Sequence, residues 1–476
     1  MPGADIVEKL WELVVPALVH FLTETAFTGK AKGTDMEDHY DVIVAGGGSA
    51  GVAAAIGASR VGARTLLVER GPCLGGAATM RNVLTYCGIY TREDPPRQVV
   101  FGVAEDVLAG LRAEGAVSAP QLFNATAVVF DPETVKRILD ALCIKAGVEV
   151  RLHSQIVGAR RESGRIRTVQ AADHYGIQEI TGTAFVDATG EADLATFGGA
   201  DVRYGNDGRV QNGSLGVRFG GIPADVILSK ESVAAAVRAA HDRGVGPLIS
   251  AQGLVTRLPI SGDVIAYLVD EAYDARDSRD VSRAEASARI QAKAYLEVMR
   301  SFLGCSDAYI VSTGPEIGTR ESRHVVAQYR ISGDEVLGAA RFDDAVAVGA
   351  WPVEYHPGPG IPSEWRFISG EGHFEIPLGA LRSIDTDNLL AAGRNIDGDR
   401  AAGGSLRVMG TAFATGHAAG IAAAYVAERG PTLDVAAVQA ELFRQHANLP
   451  YSRDPRRPHQ RDYLRLPAKL GRSRVS

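Results

Sequence analysis

The chain has 476 residues, of which 46% are hydrophobic and 22% charged, and its formal net charge is −7. This composition is that of a soluble globular protein with two or three domains, or with one sheet domain that carries a large insertion. The negative balance gives no reason to expect nucleic acid as a partner.

Four cysteines are scattered along the chain, at Cys73, Cys87, Cys143 and Cys305. They form no C-x-x-C pair, which argues against a disulfide reductase and against a cysteine-ligated iron–sulfur cluster. Free thiols are typical of a reducing compartment, so we expect a cytoplasmic protein. No His, Asp or Glu cluster has metal-ligand spacing either, and we expect no metal.

The first 38 residues form an extension in which apolar residues predict one helix at 6–22. This helix is too short to span a bilayer, and Glu8 and Glu12 argue against a signal peptide. We expect it to pack on the body or on another subunit, with shallow membrane contact as the less favoured alternative. A homo-oligomer formed through this helix or through the C-terminal tail follows as an expectation.

A glycine-rich turn follows the first apolar run, Asp41–Ala45. Gly46, Gly48 and Gly51 stand at the G-x-G-x-x-G spacing, and Val52–Ile56 begins a helix. These glycines permit a tight turn, a close approach of backbone to a pyrophosphate, and close packing of helix on strand. The N-terminus of the helix offers unpaired N–H groups to the phosphates.

A second predicted strand, 63–68, ends in Glu69, eighteen residues after Gly51. An acidic side chain at this distance accepts hydrogen bonds from a ribose diol. A lone G-x-G-x-x-G is weak evidence, but here strand, helix, strand and acid stand in register. The stretch from Asp41 to Glu69 therefore predicts a dinucleotide site.

The next segments predict a ligand-facing loop, two helices and a meander. Residues 71–79 are mostly small, so their backbone can lie flat against a planar ligand. A helix is expected over 97–118, and Asp131 caps another that runs to about Ala146. After a strand at 148–152, alternating segments near 155–161, 165–172 and 177–185 predict a small antiparallel meander.

The later part of the chain leaves the nucleotide fold and returns to it. The pattern changes from about residue 205, with helices near 226–244 and 281–302 among short strands, and this predicts an inserted substrate domain. A strand then enters a glycine turn at Gly393 and leads to a small-residue helix over 415–424. The predicted units are 1–38 (helical extension), 39–204 (first part of the nucleotide domain), 205–384 (inserted domain), 385–430 (return segment) and 431–476 (helix and basic tail).

The chain resembles the FAD-dependent oxidoreductases of the glutathione-reductase-like flavoprotein superfamily. The motifs that carry the resemblance are Asp41–Gly51 with Glu69, Gly75–Thr79, Val186–Gly190, Ile317–Arg323, Asn388–Arg394 and Arg407–Gly420. The resemblance implies FAD as cofactor and an α/β fold: a Rossmann-like FAD-binding domain with a parallel sheet and a small antiparallel meander, and an inserted α+β substrate domain.

The same resemblance implies which residues hold the cofactor. The implied FAD-binding residues are Gly46, Gly48, Ser49, Ala50, Gly51, Glu69, Arg70, Gly76, Ala77, Thr79, Ile156, Thr189, Gly190, Gly393, Arg394, Gly416, His417 and Ala418. A helix that starts at Gly416 would direct its N-terminus at the pyrimidine end of the flavin. The chain departs from the family pattern at His324 and at Asn395–Asp397, two places where substrate is expected.

The candidate catalytic residues are Arg320, His324 and Arg394. Arginine suits a carboxylate or enolate oxygen, since its N–H groups form bidentate hydrogen bonds. The alternative for Arg320 is an internal ion pair with Glu321. His324 suits a general base, with a structural role as its alternative. Among the further candidates Tyr355, His356, Arg407 and His417, we favour His417 as a flavin neighbour.

We expect an enzyme that passes a hydride from a small organic substrate to flavin N5, a dehydrogenase or an oxidase. One alternative is a flavin monooxygenase that uses NAD(P)H and oxygen. Others are a flavoprotein without net redox change, such as a hydratase or isomerase, and an FAD-containing partner subunit without activity of its own.

Overall fold

The computed structural model describes residues 39–447. The predicted helix at 6–22 and the arginine-rich tail after residue 453 lie outside the described residues, and with them the expected subunit contacts. No helix within the described part of the chain is long and apolar enough to cross a membrane. All four cysteines carry free thiols.

The strands vary in length, and the two longest lie in the predicted meander. In chain order they are β1 His39–Ala45, β2 Thr65–Val68, β3 Thr85–Cys87, β4 Gln121–Leu122, β5 Thr126–Val129, β6 Glu149–Arg151, β7 Gln155–Glu162, β8 Arg165–Asp173, β9 Gly176–Asp187, β10 Val202–Tyr204, β11 Gly213–Gly220, β12 Val255–Arg257, β13 Val264–Glu271, β14 Tyr309–Thr313, β15 Arg323–Val325, β16 Ala345–Gly349, β17 Val353–Tyr355, β18 Glu364–Arg366, β19 Phe374–Pro377 and β20 Leu389–Ala391.

The α-helices lie between these strands or follow them. They are α1 Ser49–Val61, α2 Ala77–Met80, α3 Val103–Ala113, α4 Pro132–Ala146, α5 Asp193–Phe197, α6 Lys230–Asp242, α7 Ser278–Arg300, α8 Gly333–Leu337, α9 Arg400–Leu406, α10 Met409–Arg429 and α11 Val435–Arg444. Asp131 caps α4 as predicted, since its Oδ1 accepts a hydrogen bond from Thr134 N at 2.9 Å. The helix expected over 97–118 is shorter, because Gly102 turns the backbone at φ +63° just before it begins.

The main sheet has the order β6-β2-β1-β9-β8-β7, with β20 also beside β9. Strand β9 is long enough to have two neighbours on the same side. Its first half pairs antiparallel with β8, and its last residues pair parallel with β20. The predicted meander is thus a continuation of the parallel sheet. The structure confirms the α/β class and the Rossmann-like arrangement.

The register of this sheet creates one edge where four strands end together. Ala45 of β1 lies opposite Val68 of β2 and Asp187 of β9, and Ala391 of β20 also lies opposite Asp187. Loops that follow parallel strands share the carboxyl edge of the sheet, where ligands of such folds bind. The glycine turn, Glu69, the Thr189–Gly190 turn and Gly393 are therefore neighbours.

Helix α10 packs against α1 with almost no space between the backbones. A Cβ added at Gly416 would lie 2.1 Å from Ala50 O, and one at Gly420 would lie 1.9 Å from Ala54 O. The small residues of α10 therefore serve helix packing. The prediction that a helix starts at Gly416 is wrong: α10 begins at Met409, two turns earlier.

A second hydrophobic core lies apart from the main sheet. It forms between the antiparallel sheet β12-β13-β11-β14 and helices α6 and α7, with residues such as Phe219, Val237, Val269 and Tyr295 buried in it. Residues between 325 and 381 instead contribute side chains to the first core. The limits 205–384 of the inserted domain stay a prediction; this second core occupies only 215–317 of them.

Candidate functional site

The turn after β1 has room for nothing larger than glycine at two positions. Gly46 has φ +95°, and a Cβ there would lie 2.5 Å from Ala188 O. A Cβ at Gly51 would lie 1.7 Å from Gly46 O. These contacts hold helix α1 tightly on the strand edge, as the spacing of the glycines predicts.

Gly48 differs from its neighbours because the protein leaves it free space. Its backbone is extended (φ −71°, ψ −175°), and a Cβ there would meet only Gly76 Cα at 3.9 Å. Gly75 N donates to Gly47 O at 2.8 Å, which holds the second glycine loop beside the first. The two loops form an open cradle at the N-terminus of a thirteen-residue helix, the geometry that binds a pyrophosphate.

Glu69 stands at the end of β2 inside this cradle. Its Oε2 accepts from Gly47 N and its Oε1 from Gly71 N, both at 2.6 Å. A carboxylate has about four acceptor sites, so two remain for the hydroxyls of a ribose. A cavity of about 490 Å³ opens beside it, lined also by Gly46, Arg70 and Ile156. We call Gly46–Gly51, Glu69, Gly75–Gly76 and this cavity the nucleotide cradle.

A chain of alternating charges leads from the nucleotide cradle to a second cavity. Arg70 pairs with Glu316, which lies 3.6 Å from Arg81, and Arg81 lies 4.0 Å from Glu191, which pairs with Arg394. Burial and then Arg394 lower the pKa of Arg81. Burial works to raise the pKa of Glu191, but Arg394 and Arg81 outweigh it and lower that pKa.

The second cavity has a volume of about 640 Å³ and shares Arg81 and Thr319 with the first. We call it the cationic cavity, because four arginines line it. Its charged or titratable lining residues are Arg81, Arg320, Arg394, Arg407, Asp270, Glu354, His356, Tyr267, Lys230 and Cys87. Burial, and then Glu354, raises the pKa of Cys87 to about 12, so this thiol stays protonated.

Arg320 lines the cationic cavity and does not pair with Glu321. Its Nη1 donates to Asn212 O at 2.8 Å and lies 3.9 Å from Asp270 Oδ1. Burial and then Arg407 lower its pKa. Burial raises the pKa of Asp270, although Arg320 acts to lower it. The raised pKa makes Asp270 a weaker counter-ion for Arg320.

Glu354 gathers three neighbours in the same cavity. Its Oε2 accepts from Trp351 Nε1 at 3.0 Å and from Arg407 Nη2 at 3.1 Å, and its Oε1 lies 3.2 Å from His356 Nε2. Burial works to raise the pKa of Glu354, but His356 and then the arginines Arg407 and Arg320 hold it far below its usual range. Burial and then Arg320 lower the pKa of His356 to about 4, so the imidazole is neutral near pH 7.

His324 does not reach either cavity. It is 2% exposed, its Nδ1 donates to Ile396 O at 2.9 Å, and its Nε2 lies 3.3 Å from Glu321 Oε1. Asn395 and Asp397 are buried as well: Asn395 Nδ2 donates to Asp187 Oδ1 at 2.9 Å, and Asp397 pairs with Arg203. These departures from the family pattern, expected at the substrate site, line neither cavity.

His417 lies within the protein core behind helix α1. Its Nε2 donates to Gln445 Oε1 at 2.8 Å, and a Cβ added at Gly57 or Gly102 would clash with its ring. Burial lowers its pKa to about 4. Gly416 packs on Ala50, and Ala418 is likewise buried mid-helix. None of these three lines the nucleotide cradle or the cationic cavity.

The remaining predicted residues lie around the cradle. Thr189 lines its cavity, and Gly190 (φ +77°) lets Arg394 pass, since a Cβ there would lie 2.8 Å from Arg394 Nε. Ala77 lines the cationic cavity. Ser49 and Ala50 are the first residues of α1. Gly393 N donates to Thr415 Oγ1 at 3.1 Å. Thr79 Oγ1 donates to Leu74 O at 2.8 Å.

Sequence reasoning missed Arg81, Asp270 and Glu354. Arg81 could have been found from the sequence, because it lies two positions after the small-residue loop 71–79. Asp270 and Glu354 lie on β13 and β17, outside any motif, and only folding brings them to the same cavity. His356, passed over in favour of His417, is the histidine that lines the site.

Residues 41–442 match the family described as FAD dependent oxidoreductase. The chain belongs to the FAD-dependent oxidoreductase family. It is therefore an enzyme with FAD as its cofactor, and the nucleotide cradle fits that group: Gly48 leaves the open space that a pyrophosphate needs, and Glu69 retains acceptor sites for a ribose.

The chain is also similar to individual proteins. It is 28% and 27% identical to the digeranylgeranylglycerophospholipid reductases of Thermoplasma volcanium and Thermoplasma acidophilum over 158 residues. This stretch is 32% of this chain and 39% of each relative, so the match spans about two fifths of their length. A solved structure of a geranylgeranyl bacteriochlorophyll reductase-like protein from Thermoplasma acidophilum is 13% identical with a TM-score of 0.42, covering 86% of this chain and 84% of that one.

Proposed function

We propose that this FAD-dependent oxidoreductase is a dehydrogenase or oxidase of the glutathione-reductase-like superfamily that oxidises a small organic substrate. Bound FAD would supply the hydride acceptor, its N5 atom. The observation that carries the proposal is the cationic cavity itself. It adjoins the nucleotide cradle, shares Arg81 and Thr319 with it, and has a volume of about 640 Å³, which suits a small molecule.

Arg320 and Arg394 bind an anionic oxygen of the substrate in this proposal. Arg320 uses one N–H on Asn212 O, and its nearest carboxylate lies at 3.9 Å, beyond hydrogen-bond distance. Arg394 pairs with Glu191 through Nη2, while its Nη1 is buried without a hydrogen-bond partner among the described residues. Both guanidinium groups thus retain donors for a ligand.

His356 accepts the proton that the hydroxyl or amino group of the substrate loses as a hydride leaves the adjoining carbon. It lines the cavity, whereas His324 does not, and its low pKa keeps it neutral and able to accept. Glu354 beside it stabilises the imidazolium that forms, because the two side chains lie 3.2 Å apart. Oxygen or another acceptor would take up the two electrons and restore the oxidised cofactor.

The test is anaerobic mixing of the FAD-loaded protein with a panel of small hydroxy acids, amino acids and alcohols, with absorbance of the flavin as readout. Bleaching by one compound class, followed by recovery when oxygen enters, supports the proposal. NADPH consumption that depends on substrate and takes up oxygen would identify a monooxygenase instead. Conversion of substrate without bleaching or oxygen uptake would identify a hydratase or isomerase.

A further inference from the structure

Resting on the proposed function, we infer that the substrate of the cationic cavity is an aromatic monocarboxylate. The cavity joins two kinds of wall that a ligand must satisfy together. One is a set of guanidinium groups with unused donors, and the other is a set of large apolar side chains. The apolar lining residues include Phe123, Leu254, Trp351, Ile361, Trp365 and Met409.

The apolar wall is centred on two tryptophans. The rings of Trp351 and Trp365 lie 5.8 Å apart at 63°, an edge-to-face arrangement. Both indole N–H groups are already used, by Glu354 Oε2 at 3.0 Å and by Ser363 Oγ at 2.9 Å. What they offer to the cavity is ring surface, which favours another planar ring by stacking and by burial of apolar area.

The guanidinium groups, which form the cationic wall, favour an anionic ligand. Arg407 Nε and Arg394 Nη1 are buried and have no hydrogen-bond partner within residues 39–447. Arg320 makes one hydrogen bond, to Asn212 O. A wholly apolar ligand would leave these donors buried and unsatisfied, which is unfavourable.

The charge of the cavity limits that anion to a single carboxylate. Each of the four arginines already has a carboxylate within 4.0 Å, and Arg81 has two. A phosphate or a dicarboxylate would bring two charges close to Asp270, Glu191 and Glu354 and meet repulsion. A carboxylate with one charge accepts bidentate hydrogen bonds from a guanidinium without that excess.

The two walls meet at one carboxylate oxygen. Glu354 Oε2 accepts from Trp351 Nε1 at 3.0 Å and from Arg407 Nη2 at 3.1 Å. The tryptophan wall therefore begins about one hydrogen bond away from the arginines. A ligand that satisfies both walls carries its carboxylate on the ring or within a few bonds of it.

The experiment titrates the FAD-loaded protein with benzoate, benzamide and cyclohexanecarboxylate and measures Kd from flavin difference absorbance and from calorimetry. Benzamide has the ring without the charge, and cyclohexanecarboxylate has the charge without the ring. We expect benzoate to bind roughly 10- to 100-fold more tightly than benzamide, the range for hydrogen bonds to a charged group. We expect it to bind about 3- to 10-fold more tightly than cyclohexanecarboxylate, the range for aromatic pairs.

Variants show which side chains cause the preference for a charge and which cause the preference for a ring. Arg320→Gln and Arg320→Lys lower the ratio of benzoate to benzamide affinity, whereas Trp365→Leu weakens benzoate and leaves that ratio unchanged. Arg238→Gln, an exposed arginine on α6, is the matched control and changes neither. FAD content and circular dichroism establish that each variant is folded, and the half-buried Trp365 provides the test if the buried Arg320 variants unfold.

The inference and the proposed function fail in different ways. Equal binding of benzoate and benzamide, or no binding of any probe, overturns the substrate class, even if another compound bleaches the flavin. Binding of benzoate by calorimetry without any flavin spectral change supports the aromatic carboxylate site but overturns its place beside the flavin. Tighter binding of cyclohexanecarboxylate than of benzoate overturns the role of the tryptophan wall.

Discussion

The nucleotide cradle and the cationic cavity share Arg81 and Thr319 in their walls, but they are made of different parts of the protein. The cradle is made mostly of backbone: two glycine loops, the N-terminus of α1 and one acidic side chain. The cavity is made of side chains from β13, β17 and several loops that are distant in the sequence.

This difference explains why the two regions respond differently to change. A backbone site depends on space, so one added carbon is enough to fill it. A side-chain site depends on charge and protonation, so its function changes by degrees as one group after another is removed. Single substitutions in the two regions should therefore have different effects. The predictions below run from the largest expected effect to the smallest.

The largest effect is expected at Gly48, where a side chain would enter the cradle. A Cβ at Gly48 would meet only Gly76 Cα, at 3.9 Å, so we expect Gly48→Val to fold while its side chain occupies the place of the pyrophosphate. FAD content should fall below roughly one tenth of the wild-type value. Gly358→Val is the control, because a Cβ there makes an ordinary 3.4 Å contact with Ile361 on a loop. Full FAD content in purified Gly48→Val would show that the phosphates bind elsewhere.

In the cationic cavity, removal of Arg320 should slow the reaction and leave the cofactor in place. Loss of one preorganised charged donor typically raises a barrier by about 3–4 kcal/mol, or about 10²–10³ in rate. Anaerobic stopped-flow measurement of flavin reduction, once a substrate is known, compares Arg320→Ala with the exposed control Arg238→Ala. Equal rates with FAD bound would place the anion site away from Arg320.

A smaller effect, and one that depends on pH, is expected at His356. The wild-type rate of flavin reduction should fall as pH drops through about 4, where the buried imidazole gains a proton and stops accepting one. His356→Gln should lose about 10² in rate and also lose this acid limb. His241→Gln, at an exposed position on α6, should keep both. An unchanged acid limb in His356→Gln would assign the proton transfer to another group.

The smallest effect concerns stability, at the helix pair that supports the cradle. Burial lowers the pKa of His417 to about 4, so between about pH 6.5 and about 4 the unfolded chain binds a proton that the folded chain does not. Each pH unit of decrease in that window should lower the free energy of unfolding by about 1.4 kcal/mol. His417→Gln should lack this contribution, so urea unfolding at pH 7, 6 and 5 should show a shallower decline. A slope equal to that of wild type would mean that His417 is protonated in the fold.

The sequence by itself determined the nucleotide half of this protein. Gly46, Gly51 and Glu69 act through local backbone geometry and through spacing along one strand–helix–strand unit, so the order of residues is sufficient evidence. The same holds for the helix cap at Asp131 and for the alternation in the meander.

Only the tertiary structure decided which side chains form the cationic cavity. His324 directly follows one motif and His417 lies within another, but packing buries the first against Glu321 and the second against Gln445. His356 and Glu354 stand in no motif, and only folding brings them to the cavity that Arg320 also lines. A side-chain site is set by contacts between distant parts of the chain, whereas a backbone site is set by dihedral angles that each residue carries with it.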